Sequence, residues 1–176
     1  MYNLKLITDE LNLDDTSQDL NLDKNLVDVL LYDLFNSREI AIKFEISRIF
    51  LNFCANSKIF NEILIDVDYL SKFLELTYLN YFPLVENILL IIGNIFQDFP
   101  NQIQFIVTKV PIVYRMKELL QYDKFDGNDN IRYYLLWIIK TFVFDLPKDK
   151  FIMVLKIYNL VFSLWILSLH LKNIFN

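Results

Sequence analysis

Two glycines and four prolines in 176 residues leave little with which to build tight turns. A β-sandwich or barrel needs turn chemistry about every ten residues. The chain instead has breakers between apolar segments of helical length. They fall at Asn36 and Ser37, Asn56 and Ser57, Tyr81 to Pro83, Phe99 and Pro100, Pro111, Asp126 to Asp129, and Leu146 to Lys148. This punctuation predicts helices over about 25–35, 39–55, 58–66, 68–78, 84–98, 100–109, 112–122, 129–144, 148–156 and 158–174. Pro83, Pro100 and Pro111 suit first-turn positions, where a missing N–H costs nothing. Asp129 suits the cap of the helix that follows the polar loop DKFDGNDN. The expected class is all-α.

The same scarcity excludes several chemistries. Gly93 and Gly127 cannot supply a GxGxxG or GxxxxGK[ST] phosphate loop. Cys54 and His170 are the sole cysteine and histidine, so neither an intrachain disulfide nor a Cys/His metal site can form. Cys54 reads as a core or groove residue in a reducing compartment, and His170 as a surface or capping residue. No nucleophile–base pair is present, so no enzymatic activity and no cofactor are expected. Net charge is −5, and no basic patch marks a nucleic-acid binder. An acidic protein attracts basic partners instead. Hydrophobic residues reach 55 %, with Asn, Ile, Leu, Phe, Tyr and Lys plentiful and Ala scarce. We read that composition as coding bias, which raises hydropathy without functional meaning.

Residues 1–24 carry Asp9, Glu10, Asp14, Asp15, Asp19 and Asp23 and read as a loosely ordered acidic segment rather than a signal peptide. Residues 25–176 read as one domain. Within it the order short, medium, long helix recurs. The long helices carry IFLN, IIGN and IIKT in corresponding places, with Asn52 to Asn94 spanning 42 residues and Asn94 to Thr141 spanning 47. That period belongs to armadillo or HEAT repeats, which stack because no repeat buries its apolar face alone.

A wheel of residues 84–98, at about 100° per residue, gathers Glu86, Asn87, Gly93, Asn94, Gln97 and Asp98 into one arc. Leu90 is the apolar intruder at the centre of that arc. Glu45, Arg48 and Asn52 share one face of their helix. Asp129, Asn130, Tyr133, Tyr134, Trp137, Lys140 and Thr141 do the same on theirs. Stacked long helices would align these stripes into a groove; each stripe is otherwise a solvated face.

Three stretches carry a resemblance to a known family: LVDVLLYDLFNSREIAIKFEISRIFLN, LVENILLIIGNIFQDFP and NIRYYLLWIIKTF. Together they resemble the importin alpha (karyopherin alpha) family, armadillo-repeat adaptors for nuclear localisation signals. That family has a Trp-x-x-x-Asn array on its third helices, followed in one repeat by Gly-Asn-Ile-x-x-Asp. GNIFQD, residues 93–98, is similar to this last element. The resemblance covers about three repeats, residues 26–162.

The resemblance implies a right-handed superhelical solenoid of about three armadillo repeats with a peptide groove. Asn52 and Asn94 stand at groove asparagines, and Asp98 at the carboxylate that takes a cargo lysine. Glu86 and Asn87 match polar groove positions. Trp137 matches an array tryptophan, with Thr141 in place of its asparagine, while Arg48 and Leu90 occupy the other two tryptophan positions. The chemistry follows from spacing: residues i and i+4 share a helix face, an amide can both donate to and accept from an extended peptide, and indole faces form slots for lysine stems.

The implied function is that of a nuclear import adaptor binding lysine-rich localisation signals, in nucleus and cytoplasm. The family's basic arm for importin beta has no counterpart in the acidic start of this chain, so that partner stays open. The alternative is a degenerate armadillo scaffold binding another protein without transport activity. A third reading takes residues 151–171 as long enough to span a bilayer. Lys156, Asn159, Ser163, Ser168 and His170 make that costly, so no membrane partner is expected.

Overall fold

The computed structural model describes residues 24–121 and 129–145, and every element among them is a helix. The chain is all-α in these residues, with no strand. The helices expected at 148–156 and 158–174, the segment 1–23, His170 and the candidate span 151–171 lie outside the described residues. No single described helix is long and apolar enough to cross a membrane. The chain divides into two compact units, Met1–Asp98 and Phe99–Asn176.

The first unit contains α1 (Lys24–Asn36), α2 (Ile40–Asn56), α3 (Lys58–Leu64), α4 (Val67–Leu76) and α5 (Phe82–Asp98). Each boundary has a local cause. The Ser57 hydroxyl accepts from the Phe60 N–H at 3.2 Å and caps α3. The Asp66 carboxylate accepts from the Asp68 N–H at 2.7 Å and caps α4. A 3₁₀ turn, Thr77–Leu79, then ends at Asn80, whose φ of 53° is left-handed. Asparagine tolerates that region better than most residues, so the chain turns there and α5 starts two residues later.

Lys43 joins α1 to α2. It is buried on α2, and its Nζ donates to the carbonyls of Leu34 and Phe35 at 2.6 and 2.9 Å. These are last-turn carbonyls of α1, a helix with no basic residue of its own there. The ammonium therefore satisfies orphan acceptors at the negative end of the helix dipole. Burial pushes its pKa below the ordinary 10.5.

α5 packs along α2 and against α3 and α4. Phe50, Phe60 and Phe73 are fully buried, with ring centroids 5.3 Å apart for Phe50 and Phe60 and 6.4 Å for Phe50 and Phe73. Phe35 closes the cluster edge-on at 5.4 Å from Phe73. Burial of each such side chain contributes about 1.5–3 kcal/mol.

The second unit contains a 3₁₀ turn, Pro100–Gln102, then α6 (Ile103–Lys109), α7 (Ile112–Leu120) and α8 (Asp129–Asp145). Pro100 opens its turn, but Pro111 sits at the cap position of α7 rather than inside the helix. Ile106, Val113, Met116, Ile131, Leu135 and Ile138 form its buried side.

The long helices α2, α5 and α8 have 17 residues each, and their starts at 40, 82 and 129 reproduce the 42- and 47-residue spacing. Before α5 stand helices of 7 and 10 residues, and before α8 helices of 7 and 9. The short, medium, long order is present in both units.

Candidate peptide-binding face

The polar arc of α5 is the open side of that helix. Leu84, Val85, Ile88, Leu89, Ile91, Ile92, Ile95 and Phe96 are buried. Glu86, Asn87, Leu90, Asn94 and Asp98 are half-buried, and Gln97 is exposed. Leu90 is thus the one apolar residue between Leu84 and Phe96 that the core leaves partly open. Gly93 departs from the wheel: it lies at the edge of the arc and is buried, since a residue without a side chain lets neighbouring groups close over it. On α2, Arg48 is exposed, while Glu45 and Asn52 are half-buried on the same face.

Two side-chain bridges align α2 with α5. The Asn87 amide donates to the Ser47 hydroxyl at 2.9 Å, and Ser47 donates in turn to the Phe44 carbonyl at 2.7 Å. Further along, Asn61 of α3 donates through Nδ2 to the Cys54 carbonyl at 2.8 Å and to Asp98 Oδ2 at 2.6 Å. Ser47 precedes Cys54 as Asn87 precedes Asp98, so the two long helices run parallel. These bridges run along the buried edge of α2, which Ser47 and Cys54 share, and along the polar edge of α5, which Asn87 and Asp98 share.

Asn87, expected at a groove position, is half-buried, and its amide N–H is engaged by Ser47, a fully buried hydroxyl that needs a partner. Asp98 is likewise not a bare carboxylate. Asn61 fixes Oδ2, and Oδ1 makes no hydrogen bond to another described residue. The side-chain amides of Asn52 and Asn94 make no hydrogen bond within the described residues. Each therefore offers two donors and an acceptor from a half-buried position.

Arg48 does not stand as an isolated cation. Its Nη1 lies 3.1 Å from Glu45 Oε2, one turn earlier, with side chains 45 % and 34 % exposed. Cys54 is buried, and its thiol is pushed well up, first by burial and then by the Asp98 charge. A thiol so held is protonated and unreactive. The backbone carbonyl of Cys54 is the part of that residue that organises the face.

Ser47 and Asn61 are absent from the sequence reading of the site. Their signal was a polar residue at a buried wheel position within ISRIF and KIFNEIL, which demands a partner without naming it. Asn61 is fully buried, and its Oδ1 has no partner among the described residues. The amide orientation is still settled, because Nδ2 faces two oxygens.

In the second unit, α8 presents Tyr133, 67 % exposed, with its ring 5.7 Å edge-on from Tyr134. Trp137 is half-buried and Lys140 exposed. Thr141, expected on this face, is buried, and its hydroxyl donates to the Trp137 carbonyl at 3.2 Å. A short β-branched alcohol commonly reaches back to the carbonyl of its own preceding turn.

Comparison with known protein families, with curated proteins and with solved structures finds no match to this chain.

Proposed function

We propose that this chain is an importin-alpha-like adaptor, a right-handed stack of about three armadillo repeats that binds lysine-rich localisation signals as extended peptides. The observation that carries the reading is the pair of uncommitted amides, Asn52 and Asn94. They sit on the open sides of two parallel, packed 17-residue helices, with Asp98 one turn beyond Asn94. The amides hold peptide backbone whatever its sequence, and Asp98 takes one lysine. A charge-assisted bond of that kind contributes about 1.5–3 kcal/mol. The adaptor works in nucleus and cytoplasm without cofactor or enzymatic step, and importin beta stays an open partner.

Arg48 and Leu90 replace two slot-forming tryptophans of the family. Losing two cation–π slots at about 0.5–1 kcal/mol each weakens binding about fivefold to thirtyfold, which puts affinity in the micromolar range. Those two residues and the inward Thr141 also favour the second reading, a degenerate armadillo scaffold for another protein. Titration of a labelled lysine-rich localisation peptide at two salt concentrations separates the two. The adaptor reading expects micromolar binding that weakens with salt, is lost in Asp98→Lys and is strengthened in Arg48→Trp. Binding that ignores both substitutions moves the site elsewhere and leaves the scaffold reading.

A further inference from the structure

Arg48 is out of place on a face meant for cations, and its surroundings say what it suits. Glu45 engages it through a single contact, Nη1 to Oε2 at 3.1 Å. A guanidinium carries five N–H donors in a planar fork, so the exposed side chain keeps donors for a second carboxylate. Asn52 lies one turn further along the same stripe, where it can hold the backbone of whatever peptide brings that carboxylate.

The bridges place Arg48 relative to Asp98. Ser47 is tied to Asn87, so Arg48 starts level with Asn87 on α5. Asp98 follows Asn87 by eleven residues on a continuous helix. At 1.5 Å per residue that is a rise of about 16 Å. The spacing of packed helix axes, about 8–10 Å, adds to this separation, and the long reach of arginine and lysine side chains shortens it. An extended peptide advances roughly 3.3 Å per residue, so about three to five residues separate side chains that reach the two ends. Arg48 is the one cation on these two stripes, with Glu45 paired to it and Glu86 beside Asn87, and Asp98 lies at the far end.

We propose that the α2/α5 face selects an extended peptide of mixed charge, with a lysine at Asp98 and a Glu or Asp at Arg48, about three to five residues apart. The proposal rests on the peptide-binding reading above and names the class of peptide. A uniformly basic segment places a cation against Arg48 and is disfavoured. A segment with an acidic residue at that spacing uses both ends.

The test measures fluorescence anisotropy of three sets of peptides at low salt. Each holds one central lysine in a neutral background and carries Glu, Ala or Lys four residues to its N-terminal or C-terminal side. The protein is the full chain and its variants Arg48→Glu, Glu45→Gln and Asp98→Lys. Arg48 is exposed and Glu45 and Asp98 are half-buried, so circular dichroism and thermal unfolding verify that each variant folds. In the parent chain the Glu peptide of one direction binds about threefold to thirtyfold more tightly than the matching Lys peptide. Arg48→Glu reverses that order, and Glu45→Gln widens it by freeing Arg48. Peptides that bind and are lost in Asp98→Lys, yet are indifferent to the flanking charge or to Arg48→Glu, overturn the mixed-charge proposal and leave the peptide-binding reading standing. Peptides that fail to bind at all, or bind equally well to Asp98→Lys, overturn both.

Discussion

The long helices α5 and α8 keep opposite halves of one pattern. In α5 the partly open residue is Leu90, and the amide four residues later, Asn94, makes no hydrogen bond among the described residues. In α8 the half-buried residue is Trp137, and the residue four later, Thr141, is buried with its hydroxyl turned back onto the Trp137 carbonyl. The edges of the two helices differ in the same sense. The polar edge of α5 is tied to other helices through Asn87–Ser47 and Asp98–Asn61, whereas Thr141 is satisfied within its own turn. Residue type alone does not decide this, since the Asn36 and Asn56 amides also donate to the carbonyls four residues earlier, at 2.8 Å each. Polar character at a repeat position is therefore no guide to availability.

The largest effect expected from breaking this contrast is at Asn61. Asn61→Ala leaves the Cys54 carbonyl and one Asp98 oxygen without their donor and opens a small cavity. It should lower unfolding free energy in urea by about 1–3 kcal/mol. A change below about 0.5 kcal/mol would show that the bridge does not couple α3 to α5.

Next comes conversion of α5 toward α8. Asn94→Thr should turn the new hydroxyl onto the Leu90 carbonyl and remove a backbone anchor. Affinity for a lysine-rich peptide should drop about tenfold, the worth of one or two neutral hydrogen bonds, with little change in stability. Unchanged affinity would remove Asn94 from the site.

A smaller and pH-dependent effect is expected at Lys43, a polar tie that carries charge. Burial lowers its pKa below 10.5, so the folded chain holds that proton less tightly than the unfolded chain. Its contribution is present above 10.5 and is lost as pH falls through the lowered folded value. The stability of the parent chain relative to Lys43→Met should therefore rise as pH is raised toward 10.5. A difference that is flat or falls over that range would contradict the burial of the charge.

The smallest effect belongs to α8. Thr141→Val keeps the buried shape and removes only a bond within one turn, so thermal unfolding should change by no more than about 0.5 kcal/mol at the midpoint. A loss comparable with Asn61→Ala would mean that Thr141 also ties helices together.

Much of the architecture was legible from local signals. The breaker at Asn56 and Ser57 is a cap whose chemistry acts over three or four residues, and the one at Tyr81 to Pro83 directly follows the left-handed Asn80; the Asp66 cap falls inside the expected helix 58–66 and was not read. The stripe of α5 was legible because burial follows the helical period almost residue for residue, with Leu90 open as its wheel position demands. The candidate site was less legible. Asn87, Asn94 and Asp98 look alike on a wheel, yet one is bonded to Ser47, one is free of the described residues and one is held by Asn61. The bonded pairs lie 40 and 37 residues apart in the chain.

Periodicity, turn chemistry and the lack of glycine set the helices, their lengths and the faces they bury, because each acts within a turn or two of backbone. The parallel packing of α2 on α5, the commitment of Asn87 and half of Asp98, and the pairing of Arg48 with Glu45 were decided by tertiary structure. A buried hydroxyl or amide must find a partner, and only the packed chain determines which group across the interface stands within about 3 Å of it.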